Sequence, residues 1–233
     1  MSPMKQSRTN TVPNKPILLL LLGLLVPSAL YALDMENGEE INEMCAGCHG
    51  EYGQGDKNGE YPRLAGLPAA FIAKQLHLFR DRKRPNIAMI EYIDERQMPD
   101  PDIQDVSHYL ESIELPTRLP PVDHKAADFD AYARLLASKR LMQIPRAKGD
   151  VEVGRKLYRR ECASCHGDEG WGDHKKAVPM LAGQYTNYLW RQVDKLRKHI
   201  RIHDDQAPEE ELLLDFSDAE LTDIFAYLSI VDD

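Results

Sequence analysis

Apolar residues recur along this chain in helical steps of three and four. Ile72, Leu76 and Phe79 place one stripe on a single helix face, and Leu189, Val193 and Leu196 place another on a second helix. Farther on, Ile103, Val106, Tyr109 and Leu110 line a short terminal helix, and Leu221, Ile224, Tyr227 and Leu228 line its counterpart. Ser217, followed by Asp218 and Glu220, offers an N-cap and an acidic first turn for the last of these. Asp100 followed by Pro101 is expected to do the same for the earlier one. Alternating strand patterns are nearly absent, so the predicted fold class is all-α.

The stripes are copies of one another. Cys48 and Cys165 are 117 positions apart, and the same offset carries Pro62-Arg63-Leu64-Ala65-Gly66 onto Pro179-Met180-Leu181-Ala182-Gly183, and Lys74-Gln75-Leu76 onto Arg191-Gln192-Val193. An offset of 118 aligns the two terminal helices. Repeats of solenoid proteins are roughly 20–50 residues long, so this period means duplicated domains. Each copy reads as a helix, a Cys-x-x-Cys-His motif, a glycine-rich loop, a P-x-L-A-G turn, a long helix, an irregular loop and a short terminal helix. The expected division is residues 1–32 as a leader, 33–118 as the first domain, 119–149 as a linker and 150–233 as the second domain. Pro116, Pro120 and Pro121 open the connection. Phe129, Tyr132, Leu135, Leu136, Leu141 and Met142 predict an amphipathic helix within it, one that either packs across both domains or lies exposed.

Composition changes the picture in two places. Lys5, Arg8 and Lys15 precede the apolar run Ile17 to Val26, and Ser28-Ala29-Leu30-Tyr31-Ala32 offers small residues for a signal peptidase, so the chain reads as exported to the periplasm. An uncleaved membrane anchor is the competing reading, although the run is short and broken by Gly23 and Pro27. The formal charge of −9, with no basic run, excludes nucleic acid as a partner and leaves at most peripheral or anchored membrane association. The acidic stretch Asp204 to Glu211 is a solvated loop or a docking patch for a basic partner.

Four cysteines in an exported protein would ordinarily suggest two disulfides. Here each lies in a Cys-x-x-Cys pair followed at once by histidine: Cys45, Cys48 and His49, then Cys162, Cys165 and His166. Two thiols at that spacing reach the two vinyl-derived carbons of one haem as thioethers, and the histidine is delivered to the iron. Zinc pairs lie closer together in sequence, and a thioredoxin-like pair expects a βαβ context. The cofactors implied are two covalently bound haem c groups. Pro62 and Pro179 follow their histidines by 13 residues each, where a carbonyl is expected to accept the imidazole N–H and fix its tautomer.

With these motifs, and a K-Q-L helix ending in Arg80, Arg82, Lys83 and Arg84, the chain resembles the dihaem cytochrome c4 family over about residues 35–115 and 150–230. The resemblance implies two tandem class I cytochrome c domains, here joined by a partly helical linker, that relay electrons with each iron held by histidine and methionine. The first copy keeps two candidate methionines. Met98 precedes a proline but stands close to the helix start and aligns with Phe216, an expected core position, so Met89 is favoured. The second copy has no methionine after Met180. His203 is the nearest nitrogen ligand, His199 is an alternative, Lys195 and Lys198 would need deprotonation, and a vacant position stays open. The function implied is electron transfer between redox proteins of a respiratory chain, a donor and an acceptor such as a membrane oxidase or dehydrogenase. The alternative is a haem enzyme or subunit acting on a small inorganic substrate at a vacant or weakly ligated second haem. His77, His108, His124 and His174 read as surface residues, and Trp171 and Trp190 as packing.

Overall fold

A computed structural model describes residues 32–203 and 212–231, so residues 1–31 of the expected leader and the acidic stretch lie outside the described residues. The first half folds as α1 (Met35–His49), α2 (Ala69–Arg80), α3 (Ile87–Arg96) and α4 (Asp100–Ser112). After α5 (Ala131–Ser138) the second half follows as α6 (Val151–Glu161), α7 (Ala163–His166), α8 (Thr186–Arg197) and α9 (Asp218–Leu228). Among the described residues the only extended pairing is an isolated bridge between Asp173 and Val178.

In each half the first helix crosses the last. α1 packs on α4, and α6 packs on α9. A glycine lies at both crossings because the backbones approach too closely for a side chain. A Cβ on Gly38 would stand 2.5 Å from the Asp105 carbonyl oxygen, and one on Gly154 only 1.8 Å from that of Asp223. Polar caps repeat as well. The Asp34 carboxylate accepts from the backbone N–H groups of Glu36 and Asn37 at 3.1 and 3.0 Å, and Asp150 accepts from those of Glu152 and Val153 at 2.9 and 3.0 Å. These bonds satisfy N–H groups that a helix start leaves without partners. The opposing helix then ties each cap down: Asp34 N–H donates to the fully buried Asp105 at 2.9 Å, and Asp150 N–H to Asp223 at 2.7 Å.

Three details depart from the sequence reading. The region between α2 and α4 holds a further helix, α3, which buries Ile93 in the first core and ends at Gln97 in the left-handed conformation. Ser217 does cap α9, in a reciprocal capping box with Glu220, but α4 begins one residue earlier than expected, with Pro99 at its N-cap and Asp100 inside its first turn. The carboxylate of Asp100 is instead taken by Arg80 at 2.8 Å. Finally, α5 forms where the apolar residues predicted it, yet Tyr132 and Leu135 are 68% and 59% exposed. The segment after it does the packing: Met142 and Ile144 enter the first core, and Met142 N–H donates to the Pro116 carbonyl at 3.0 Å.

The halves are joined by buried polar contacts. Gln184 of the second half accepts from Arg63 N–H and donates to the Arg63 carbonyl, both at 3.0 Å. Met180 and Tyr185 lie inside the hydrophobic core of the first half. Glu111 at the end of α4 meets the His174 ring at 2.7 Å.

Candidate haem sites

Each histidine of the Cys-x-x-Cys-His motifs sits in a cradle that the second half repeats nearly atom for atom. His49 and His166 are buried at the C-terminal ends of α1 and α7. The chain then turns under each ring. Gly55 N–H donates to the His49 carbonyl at 2.7 Å, and Gly172 N–H to the His166 carbonyl at 2.8 Å. These glycines have φ of 78° and 77°, and a Cβ on either would lie within 2.7 Å of a backbone oxygen of Tyr61 or Val178. Glycine is required there for both reasons. The P-x-L-A-G turn is pinned in parallel, with Leu64 and Leu181 N–H donating to the Gly53 and Gly170 carbonyls at 2.7 Å each. The turns thereby present the Pro62 and Pro179 carbonyls to Nδ1 of His49 and His166, at 3.0 and 2.9 Å.

A ring that donates from Nδ1 keeps its proton there and leaves Nε2 as the lone-pair nitrogen. Burial, only partly opposed by the proline carbonyl, lowers the pKa of both histidines, and a nearby His203 adds to the effect at His166. Both are therefore neutral at physiological pH, the state a metal needs. Of the four motif cysteines, Cys45 and Cys162 are half-buried, and burial pushes each thiol up to about 11. A reactive or redox cysteine would be shifted the other way.

The methionines occupy different settings. Met98 is buried in the core, and its carbonyl accepts from Arg80, which also pairs with Asp100. In the second half Phe216 is likewise buried, and its carbonyl accepts from Arg197, which pairs with Asp218. Met98 thus fills the place that a phenylalanine fills in the copy. Met89 lies on α3, half-buried against the same core as Cys45. His203 stands in the connection after α8, with its ring centre 6.1 Å from that of His166. His199 is exposed, with a φ of 52° at the end of α8. Trp190 packs edge-on against Phe225 at 5.0 Å, whereas Trp171 is 40% exposed.

One cluster escaped the sequence reading. Arg84 and Arg201, themselves 117 apart, meet between the halves. Arg84 donates to Gln75 at 2.7 Å and to Tyr188 and Gln192 at 3.2 Å each, and Arg201 donates to Gln192 at 2.8 Å. Burial first, and repulsion from Arg84 second, bring Arg201 down to about 10. Burial would raise the Tyr188 phenol, but the charges of Arg84 and Arg201 outweigh it and leave its pKa lowered. No carboxylate among the described residues pairs with either guanidinium. The duplication offset carries Gln75 and Arg84 onto Gln192 and Arg201, so the correspondence, though not the contact, was visible in the sequence.

These features fit two haem c groups. Paired thiols, an oriented neutral imidazole and guanidiniums lacking a carboxylate match the vinyl, iron and propionate functions of the group. The buried Arg96 Nε, without a partner among the described residues and with its charge felt at Cys45, adds a further cation on the first site. The Cytochrome c family description matches residues 35–114 and again 151–232. The chain belongs to the cytochrome c family. Over 187 residues this cytochrome is 30% identical to a thiosulfate dehydrogenase electron acceptor from Stutzerimonas stutzeri, covering 80% of this chain and 78% of that one. It is 25% identical to cytochrome c4 of Pseudomonas aeruginosa over 217 residues, or 92% and 98% of the two chains. Its fold also matches a reduced recombinant cytochrome c4 from Pseudomonas stutzeri, with a TM-score of 0.63 at 20% identity, over 85% of this chain and 98% of that one. It is a dihaem cytochrome of the c4-like type with two covalently bound haem c groups, and it transfers electrons.

Proposed function

We propose that this cytochrome works in the periplasm as a carrier that takes electrons from a dehydrogenase and hands them to a terminal acceptor. Relatives named as electron acceptors of thiosulfate dehydrogenase support an enzyme of that kind as the donor. The observation that carries the reading is the duplicated histidine cradle, His49 on Pro62 and His166 on Pro179, held in two halves that share buried contacts. Each haem, when bound, supplies one iron that gains and loses a single electron. The chain's own residues do the rest. Cys45, Cys48, Cys162 and Cys165 would anchor the groups, and His49 and His166 would offer Nε2 to the irons. The proline carbonyls hold the two rings against rotation. Arg84 and Arg201 would hold haem propionates by charge-assisted hydrogen bonds. Their positive charge favours reduced iron, and pairing relieves the repulsion of two enclosed guanidiniums.

Met89 gives the first haem its thioether, because Met98 stands where the other copy has Phe216. A soft thioether favours reduced iron and raises the potential. The deciding experiment is stopped-flow mixing of the holoprotein with reduced thiosulfate dehydrogenase, then with an oxidised acceptor. The carrier reading expects both haems to be reduced and reoxidised with no product made by this chain. Turnover of an added inorganic substrate by the isolated holoprotein, with the second haem as its site, would replace it.

A further inference from the structure

The connection between α8 and α9 contains no methionine, so it offers the second haem no thioether equivalent to the one proposed for Met89. His203 enters from that connection, and its ring centre lies 6.1 Å from that of His166 with the planes inclined by 41°. Two imidazoles bound to one first-row metal at about 2.0–2.1 Å, with each ring centre roughly 1.1 Å beyond its nitrogen, have centres about 6.2–6.4 Å apart. The spacing is that of two rings with an iron between them. An aromatic contact can have the same spacing, and the Tyr61 ring is 6.0 Å from that of His49. Tyr61, however, belongs to the turn that holds His49, one residue before Pro62. His203 comes from a different element, the one that corresponds to the methionine-bearing connection of the first half. His166 Nδ1 is already committed to Pro179, so its Nε2 is the nitrogen left for iron. His199 lies four residues earlier, at the end of α8, where its backbone N–H closes the helix on the Leu196 carbonyl at 3.0 Å.

We infer that His203 is the second axial ligand of the haem anchored at Cys162 and Cys165, which makes that haem a bis-imidazole centre beside an imidazole–thioether one. The inference rests on the carrier reading and sharpens it. Methionine ligation raises a haem potential relative to nitrogen ligation, so the first haem is the electron reservoir and the second the lower-potential port.

The test uses the full-length holoprotein and its His203→Ala, His203→Met and His199→Ala variants. The readouts are electron paramagnetic resonance of the oxidised form, carbon monoxide binding to the reduced form and a potentiometric titration. In the wild type both haems are expected to be low-spin and to ignore carbon monoxide. In His203→Ala half of the haem becomes high-spin and binds carbon monoxide, and added imidazole restores the low-spin signal. His203→Met raises only the lower midpoint, and His199→Ala changes nothing. A high-spin haem in the wild type, an unchanged His203→Ala spectrum, or high-spin conversion by His199→Ala would each overturn the assignment. None of those results touches the carrier reading, which fails instead if the wild type, with both haems attached, exchanges no electrons with its partners.

Discussion

At the scale of single residues, the duplicated chain contains its own control experiment. Met98 and Phe216 share a buried position, an arginine on the carbonyl and an aspartate beyond it, so that position is explained by packing in both halves. Met98→Leu is therefore expected to leave the spectrum of the first haem unchanged and to lower stability by about 1 kcal/mol, as volume-conserving core changes do. Met89→Leu is expected to abolish the thioether-to-iron charge-transfer band and lower the upper midpoint potential, with little change in melting temperature. Visible and near-infrared spectra with a redox titration distinguish the two. The reverse pattern would give the ligand role to Met98. The two Cys-x-x-Cys-His motifs were legible from the sequence alone, because their residues are adjacent, and the structure adds that His49 and His166 share one proline-carbonyl cradle. The methionine choice was only partly legible, since the alignment with Phe216 pointed to a core site but could not reveal the arginine clamp around it.

At the scale of elements, stability rests on two helix crossings and on caps that face them. Gly154→Ala would drive a methyl group into the Asp223 carbonyl, and Gly38→Ala into that of Asp105, at 1.8 and 2.5 Å. Overpacking of this kind costs about 1–3 kcal/mol or more, and the change at Gly154 is expected to be the worse. Thermal unfolding of the holoprotein would register it, and equal losses at the two sites would contradict the difference in spacing. Neither glycine stood out in the sequence, because a close backbone approach involves a residue about seventy positions away. Helix α3 was missed for a related reason. Its single fully buried apolar residue, Ile93, gives too weak a periodic signal, and its burial depends on the core of α2 and α4. The linker helix α5 was legible as a helix, but its packing was not.

At the scale of the molecule, the halves are joined by directional polar contacts and by Met180 and Tyr185 packed into the first core. Gln184→Ala removes the side-chain amide that bonds both the N–H and the carbonyl of Arg63, and each lost hydrogen bond costs about 1 kcal/mol. The expected outcome is loss of a single unfolding transition in favour of two, read by calorimetry; a single transition with an unchanged midpoint would mean that Gln184 does not couple the halves. Glu111 adds a pH-dependent contact. Burial raises its pKa, but the His174 hydrogen bond, the Ala69 N–H and the charges of His174 and His108 together hold it below its ordinary 4.5. Because the folded value is the lower one, this stabilisation is complete above that pH and is lost as pH falls through the folded value. Glu111→Gln should remove that part of the acid limb of the stability curve, by no more than about 1 kcal/mol for so accessible a pair. Denaturant titrations across the acid range would measure it. The sequence by itself determined the helical class, the duplication and the two Cys-x-x-Cys-His motifs with their four thioether anchors, because each is written in local spacing or in a fixed offset. Only the tertiary structure decided that Arg84 meets Arg201, that Gln184 holds Arg63, and that the His203 ring lies 6.1 Å from that of His166. Those pairings depend on how two domains and their loops are brought together, and residue spacing along a chain does not carry that information.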